Sequence, residues 1–244
     1  MLLLFFFVLF VSTQLTSSMV FDESSCGGTF QDVGLLELNA DIVCPDNGQV
    51  QIPAVTLVGA TTFDLMGHEL SISNQREVVF ATGVGTVIRN GSLRGAGVNP
   101  DVLPGILFWS ASDGLVEDLT LQSSAMGIIV SDNFAGRDTA RNTTFRNLAI
   151  SDTLDDALDV RGENCTFVNI QTSDSERWAI TVTGNQHIFQ DVTVSNSVLV
   201  EGDDIDMRDF MITQFSGTGL EISVRHLCLR QGEFHAYPDE NLFL

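Results

Sequence analysis

The chain has 244 residues, is 44% hydrophobic and carries only 5 prolines, enough for one domain with a sizeable core. Its formal net charge is −21, and all 11 basic residues are arginine. A field of that sign repels nucleic acid and anionic membranes, and repels a polyuronate unless a divalent cation bridges the two.

In chain order, Met1 to Val11 is almost wholly apolar and is followed by small polar residues to Ser18. This pattern predicts a secretory signal peptide over 1–18, and hence a secreted, extracellular protein. The run is short for a membrane span, and no later stretch is long enough to cross a bilayer, so the mature chain is expected to have no span. Residues 19–50 fit no repeat and are expected to form an N-terminal cap. Export permits disulfides. The cysteines are Cys26, Cys44, Cys165 and Cys228, which allow three pairings. Proximity favours Cys26–Cys44. Without a CxxC pair and with scattered histidines, a zinc site is not expected.

From residue 51 to 230 a short pattern recurs: a bulky apolar residue, any residue, Asp or Asn, then apolar–any–apolar. Copies are Ile88–Leu93, Val116–Leu121, Phe145–Ile150, Phe167–Thr172, Phe189–Val194 and Met207–Ile212. The Asp/Asn falls at 90, 118, 147, 169, 191 and 209, with differences of 28, 29, 22, 22 and 18. A unit of about 22 residues with longer copies marks a repeat carrying loop insertions. About ten residues later comes a second alternating element: Gly127–Val130, Ala157–Val160, Ala179–Val182 and Gly219–Ile222. Short strands at this spacing leave no room for a crossover helix. The predicted fold is therefore all-β, a right-handed parallel β-helix whose coils stack about 4.8 Å apart. The recurring Asp/Asn suits a sharp bend with left-handed backbone, and its copies are expected to form a ladder inside that bend. Residues 231–244 lose the pattern and are expected to be a tail or an incomplete cap.

Three Asn-x-Ser/Thr sites occur, at Asn90, Asn142 and Asn164. Asn90 is expected to be an inward ladder residue, and Asn142, in a longer insertion, the best glycan acceptor.

These repeats make the chain resemble the pectin-lyase-like superfamily over about Gln51 to Arg230. The resemblance implies the fold, and a secreted protein that acts on or binds polysaccharide. The superfamily also contains proteins with no known catalysis. The polygalacturonase motifs are matched only in fragments. That family carries Asn-Thr-Asp, Gly-Asp-Asp, Gly-His-Gly and Arg-x-Lys on successive coils. Here Asp152-Thr-Leu-Asp155-Asp156-Ala-Leu-Asp159 is vaguely similar to the first two and Gly202-Asp203-Asp204 matches three letters, but Gly217-Thr218-Gly219 has threonine for the histidine and no Arg-x-Lys exists.

Alternation predicts two outward columns on the second element. One is Ile129, Asp159, Thr181, Leu199 and Glu221; the other is Ser131, Arg161, Thr183, Glu201 and Ser223. Glu201 and Glu221 then lie one diagonal step apart, roughly 8 Å between backbones, a spacing that suits acid and base carboxylates across a water. With Asp159 and Arg161 they are the candidate catalytic residues. Arg177 and Trp178 are candidate substrate contacts, although alternation also allows Trp178 to face the core. Asp155, Asp156, Asp203 and Asp204 are candidate calcium ligands, through which an acidic sugar could be bridged; a neutral polysaccharide needs no such ion. His187, just before an apolar strand position, is expected at the surface. The competing reading is a non-catalytic extracellular or cell-surface scaffold with chance clustering of acids. Ice binding would want regular Thr-x-Thr columns, and only Thr181-Val-Thr183 supplies one.

Overall fold

The computed structural model describes residues 18–45, 52–73, 77–96, 105–131, 140–201, 203–214, 220–222 and 227–230. The expected leader and the C-terminal tail lie outside them, apart from Ser18. The chain winds as a right-handed parallel β-helix. From Val87 on, each complete coil gives one strand to a long sheet and one to a short sheet. Earlier coils give the long sheet two short strands, as Thr62–Asp64 and Glu69–Ile72 do, and all pair in parallel one coil away. The long sheet runs from Ser18–Phe21 through Thr144–Thr153, Thr166–Ser175 and Ile188–Ser195 to Leu227–Arg230. The short sheet runs from Gly28–Gln31 through Met126–Val130, Leu158–Val160, Trp178–Val182 and Ser197–Val200 to Leu220–Ile222.

The recurring Asp/Asn explains the winding. Asn90, Asp118, Asn147, Asn169, Asp191 and Asp209 all have left-handed backbone, with φ between 49° and 60°. Asp and Asn tolerate this region better than other side-chain-bearing residues, so they mark the place where a long strand bends. Asp152 and Asp174 turn a second corner, and Asp113, Asn142 and Asn164 a third, again with positive φ. The ladder at the bend lies outside the coil, not inside as expected. Asn147 Nδ2 donates to Asp118 Oδ1 at 2.7 Å and Asn169 Nδ2 to Asn147 Oδ1 at 3.0 Å, and all three side chains are exposed. The left-handed residue swings its Cβ outward, while Phe145, Leu148 and their copies fill the interior.

Asn142 lies in the corner row itself: its Nδ2 donates to Asp113 at 3.0 Å, and Asn164 donates to Asn142 at 2.7 Å. Asn90, half-buried, donates to Asp64 at 3.2 Å. The amide nitrogen of each glycosylation-pattern asparagine is thus occupied by the coil before it.

Identical positions stack because the register is constant. Phe145, Phe167 and Phe189 form a column with ring centroids 4.9 and 4.7 Å apart and planes within 9°. Trp109 closes one end edge-on at 5.8 Å, and Phe210 the other at 6.5 Å. These rings and the aliphatic rows beside them are fully or almost fully buried.

Winding begins before residue 51. Gly28–Gln31 pairs with Val55–Val58, and Leu35–Leu38 with Thr62–Asp64. The segment expected as a cap therefore forms a coil of its own. Cys26 and Cys44 are joined by a disulfide with Cα atoms 5.6 Å apart, which closes that first coil on itself. Among the described residues no helix is long and apolar enough to cross a membrane.

Candidate functional site

The first predicted column exists, and the second does as far as Glu201; Ser223 lies outside the described residues. Ile129, Asp159, Thr181, Leu199 and Glu221 are register partners on successive short-sheet strands. The amides of Arg161, Thr183 and Glu201 continue the stacking past the strand ends, donating to Val130, Val160 and Val182 at 2.7, 2.8 and 2.7 Å. Sequence reasoning missed the upstream part of the first column, where Phe80, Phe108 and Ile129 are partners. The Phe80 and Phe108 rings stack at 5.4 Å. Phe80 lies 28 residues before Phe108, off the 22-residue spacing, whereas Phe108, 21 residues before Ile129, lies within its reach.

Asp159 departs from expectation. It points to the outer face but is only 1% exposed. Arg161, two residues on and therefore on the same side of the strand, folds back over it. Nε donates to Oδ1 at 3.0 Å and Nη2 to Oδ2 at 2.5 Å, a two-pronged grip on the carboxylate. The guanidinium itself keeps 56% side-chain exposure.

Beside this pair the turn before Leu158–Val160 holds Asp155 and Asp156, both buried. Arg177, one coil on, donates from Nη1 to Asp155 at 3.1 Å and stays 62% exposed. That bond and the charge of Asp155 hold its guanidinium protonated more firmly than usual. Asp156 has no such bond. Burial pushes its carboxyl up to about 6, the charges of Asp155 and Asp159 add to the rise, and the Thr181 hydroxyl and Arg177 oppose it. Asp156 Oδ1 and Thr181 Oγ1 are both buried without a hydrogen-bond partner. The cluster thus has three carboxyl groups, two capping guanidinium groups, and one carboxyl that accepts a proton near neutrality. Trp178, half-buried, adjoins Arg177.

The remaining candidates do not join this cluster. Glu221 lies three register steps from Asp159, and Glu201, exposed, follows the neighbouring strand. Asp203 and Asp204 sit at the opposite end of the short-sheet strands. There the Asp203 amide donates to Asn185 Oδ1 at 3.0 Å and its carbonyl accepts from the Gln186 amide at 2.9 Å. The four candidate calcium ligands therefore fall into two separate pairs. Among the described residues no group of three or more His, Cys, Asp or Glu is arranged to hold a metal ion.

His187 is corrected outright: it is 0% exposed, in the interior. The signal that could have placed it is the position two residues before each core phenylalanine. Thr143, Cys165 and His187 occupy it in turn, and all three are buried.

The chain matches no protein-family model and no curated protein. Among solved structures it is similar to PfbA, a surface adhesin of Streptococcus pneumoniae. The TM-score is 0.53 at 9% identity, covering 85% of this chain and 80% of that one. It is also similar to ORF18 of Geobacillus virus E2, with a TM-score of 0.47 at 9% identity, covering 86% of this chain and 55% of that one. At such identities the likeness concerns the fold.

Proposed function

We propose that this chain is a secreted β-helix that binds polysaccharide along the outer face of its short sheet. The observation that carries the reading is the pair of exposed guanidinium groups, Arg161 and Arg177, anchored on buried Asp159 and Asp155 beside Trp178. Arginines fixed from below present planar donors at little entropic cost, the arrangement that sugar hydroxyls need. The apolar column through Phe80, Phe108 and Ile129 leads up to them, one residue per coil at about 4.8 Å. An extended chain lying across the coils would meet apolar surface at half-buried Phe80 and Ile129, with Phe108 buried between them, and then polar donors. Export is supported by the Cys26–Cys44 disulfide together with the apolar leader. A net charge of −21 favours a neutral polymer; an acidic one would need calcium between the two surfaces.

Binding is favoured over cleavage. Asp159 and Asp156 are 1% and 4% exposed, so neither carboxyl reaches a glycosidic oxygen unless Arg161 or Arg177 moves. The same closure supports the second reading, a non-catalytic surface or adhesion scaffold; PfbA, similar in fold, is a surface adhesin. The test is a panel of neutral and acidic polysaccharides, each with calcium and with chelator. Binding, reducing ends and the absorbance of unsaturated sugars are followed together. Binding without either product is expected, and Arg177→Ala should weaken it about 10-fold, roughly 1.4 kcal/mol. Failure to bind any polymer in the panel overturns the proposal in favour of the scaffold.

A further inference from the structure

Backbone hydrogen bonds link Thr61, Thr86, Gly114, Thr143, Cys165 and His187 into one row inside a corner of the coils. The row has a common task, to satisfy carbonyl groups where the chain turns. Thr86 Oγ1 donates to the Gly59 carbonyl at 2.7 Å, Thr143 Oγ1 to those of Ala111 and Arg141 at 3.3 and 3.2 Å, and Cys165 Sγ to that of Glu163 at 3.4 Å. At Gly114 the Trp109 ring takes the space, and its Nε1 bonds the Ala111 carbonyl at 2.9 Å.

His187 performs a different task with the only ordinarily titratable ring in the row. Its Nδ1 accepts the Cys165 amide at 3.2 Å, so the ring is neutral with its proton on Nε2. Among the described residues Nε2 has no partner in hydrogen-bond geometry, although the nearby Gly162 carbonyl favours its proton and partly opposes the effect of burial. A Cβ at Gly184 would lie 2.0 Å from the Gly162 carbonyl oxygen and 2.5 Å from Nε2, so that side has no room for water or a counter-ion. Phe167 and Phe189 flank the ring edge-on at 6.1 and 6.4 Å. Among the described residues nothing packed around it offers a compensating charge. The Cys165 thiol, pushed up to about 11 by burial, stays neutral. The Glu163 and Asp204 side chains are exposed, and that of Asp206 is held by Arg208.

We propose that His187 is an acid-sensitive latch, whose neutral ring closes the corner between two coils and whose protonation opens the winding from there onward. Protonation removes the acceptor for the Cys165 amide and places an unpaired charge among phenylalanines. The core closes against this: burial holds the ring down to about 4, against an ordinary value of 6.5. Because the folded value is the lower one, stability is complete above the ordinary histidine range and falls as pH drops from 6.5 towards 4. The latch is independent of polysaccharide binding, and its failure would leave that reading untouched.

The test is hydrogen exchange at the Cys165, Ile188 and Asp206 amides, with the His187 ring titrated by NMR. Between pH 6.5 and 4, protection corrected for intrinsic exchange should fall on the order of 100-fold in the natural chain. His187→Thr, which copies the row's own solution at Thr143, and His187→Gln should both abolish that step. The idea is overturned if the ring titrates near its ordinary value with the coils closed, or if all three chains lose protection in parallel. Should both variants fail to fold at neutral pH, the titration of the natural ring decides alone.

Discussion

The two sheets share one interior and differ on their outer faces. On the long sheet the paired charges come from neighbouring coils: Arg89 covers Asp64, 4% exposed, at 2.7 Å, Arg146 covers Glu117, and Arg94 donates to the more solvated Glu69 at 3.1 Å, with 46% and 33% side-chain exposure. On the short sheet, Asp159 is 1% exposed and Asp156 4%, and the strand Gly105–Ser112 is buried at every position. The same residue types therefore contribute according to how far each is withdrawn from water. A solvated pair gains little, whereas a carboxylate withdrawn from water depends on the one group that neutralises it.

The sharpest way to break this contrast is to remove that group. Arg161→Ala leaves Asp159 uncompensated and should cost about 2–3 kcal/mol in chemical denaturation at pH 7.5. A loss below about 0.5 kcal/mol would mean that Asp159 is solvated after all. Next comes Asp156→Asn. The folded carboxyl is raised to about 6 from 3.8, so its contribution to stability is present below 3.8 and is lost as pH rises through 6. The variant should therefore be more stable than the natural chain by about 1–2 kcal/mol at pH 7.5 and no more stable at pH 3.5. A pH-independent difference between the two melting curves would remove the assignment. Smaller again is Asn169→Ala at the long-sheet bend, where φ is 53°. A cost of about 1 kcal/mol is expected, with Asn169→Gly restoring most of it, because the strain is in the backbone. Smallest is Glu69→Ala, about 0–0.5 kcal/mol and vanishing in molar salt. If it matched Arg161→Ala, burial would not set what a charge pair contributes.

Most of the coil architecture was legible in the sequence because one chemical requirement repeats. A bend needs left-handed backbone, Asp and Asn tolerate it, and the six aligned positions from Asn90 to Asp209 all adopt it. Strand alternation likewise gave the order Ile129, Asp159, Thr181, Leu199 and Glu221. The first coils were only partly legible: Asp32, φ 51°, follows the Asp/Asn rule, whereas Met66, φ 52°, carries no compositional signal. For the site, alternation reports which way a side chain leaves the strand and not what then covers it. Asp159 points outward as predicted, yet disappears beneath Arg161. His187 was misplaced because it was judged against Ile188 alone, when its equivalents one coil earlier, Cys165 and Thr143, are the relevant neighbours.

The stacked column of Phe145, Phe167 and Phe189 also has a mechanical meaning. Tension applied to the two ends of such a spring acts on the outermost turn first, since each turn is held chiefly by the next. Each turn that peels away would release about 22 residues, roughly 70 Å of contour length beyond its own rise. A force–extension trace of this molecule should therefore be a train of evenly spaced, similar rips, with wider intervals where residues 97–104 and 132–139 lengthen a turn.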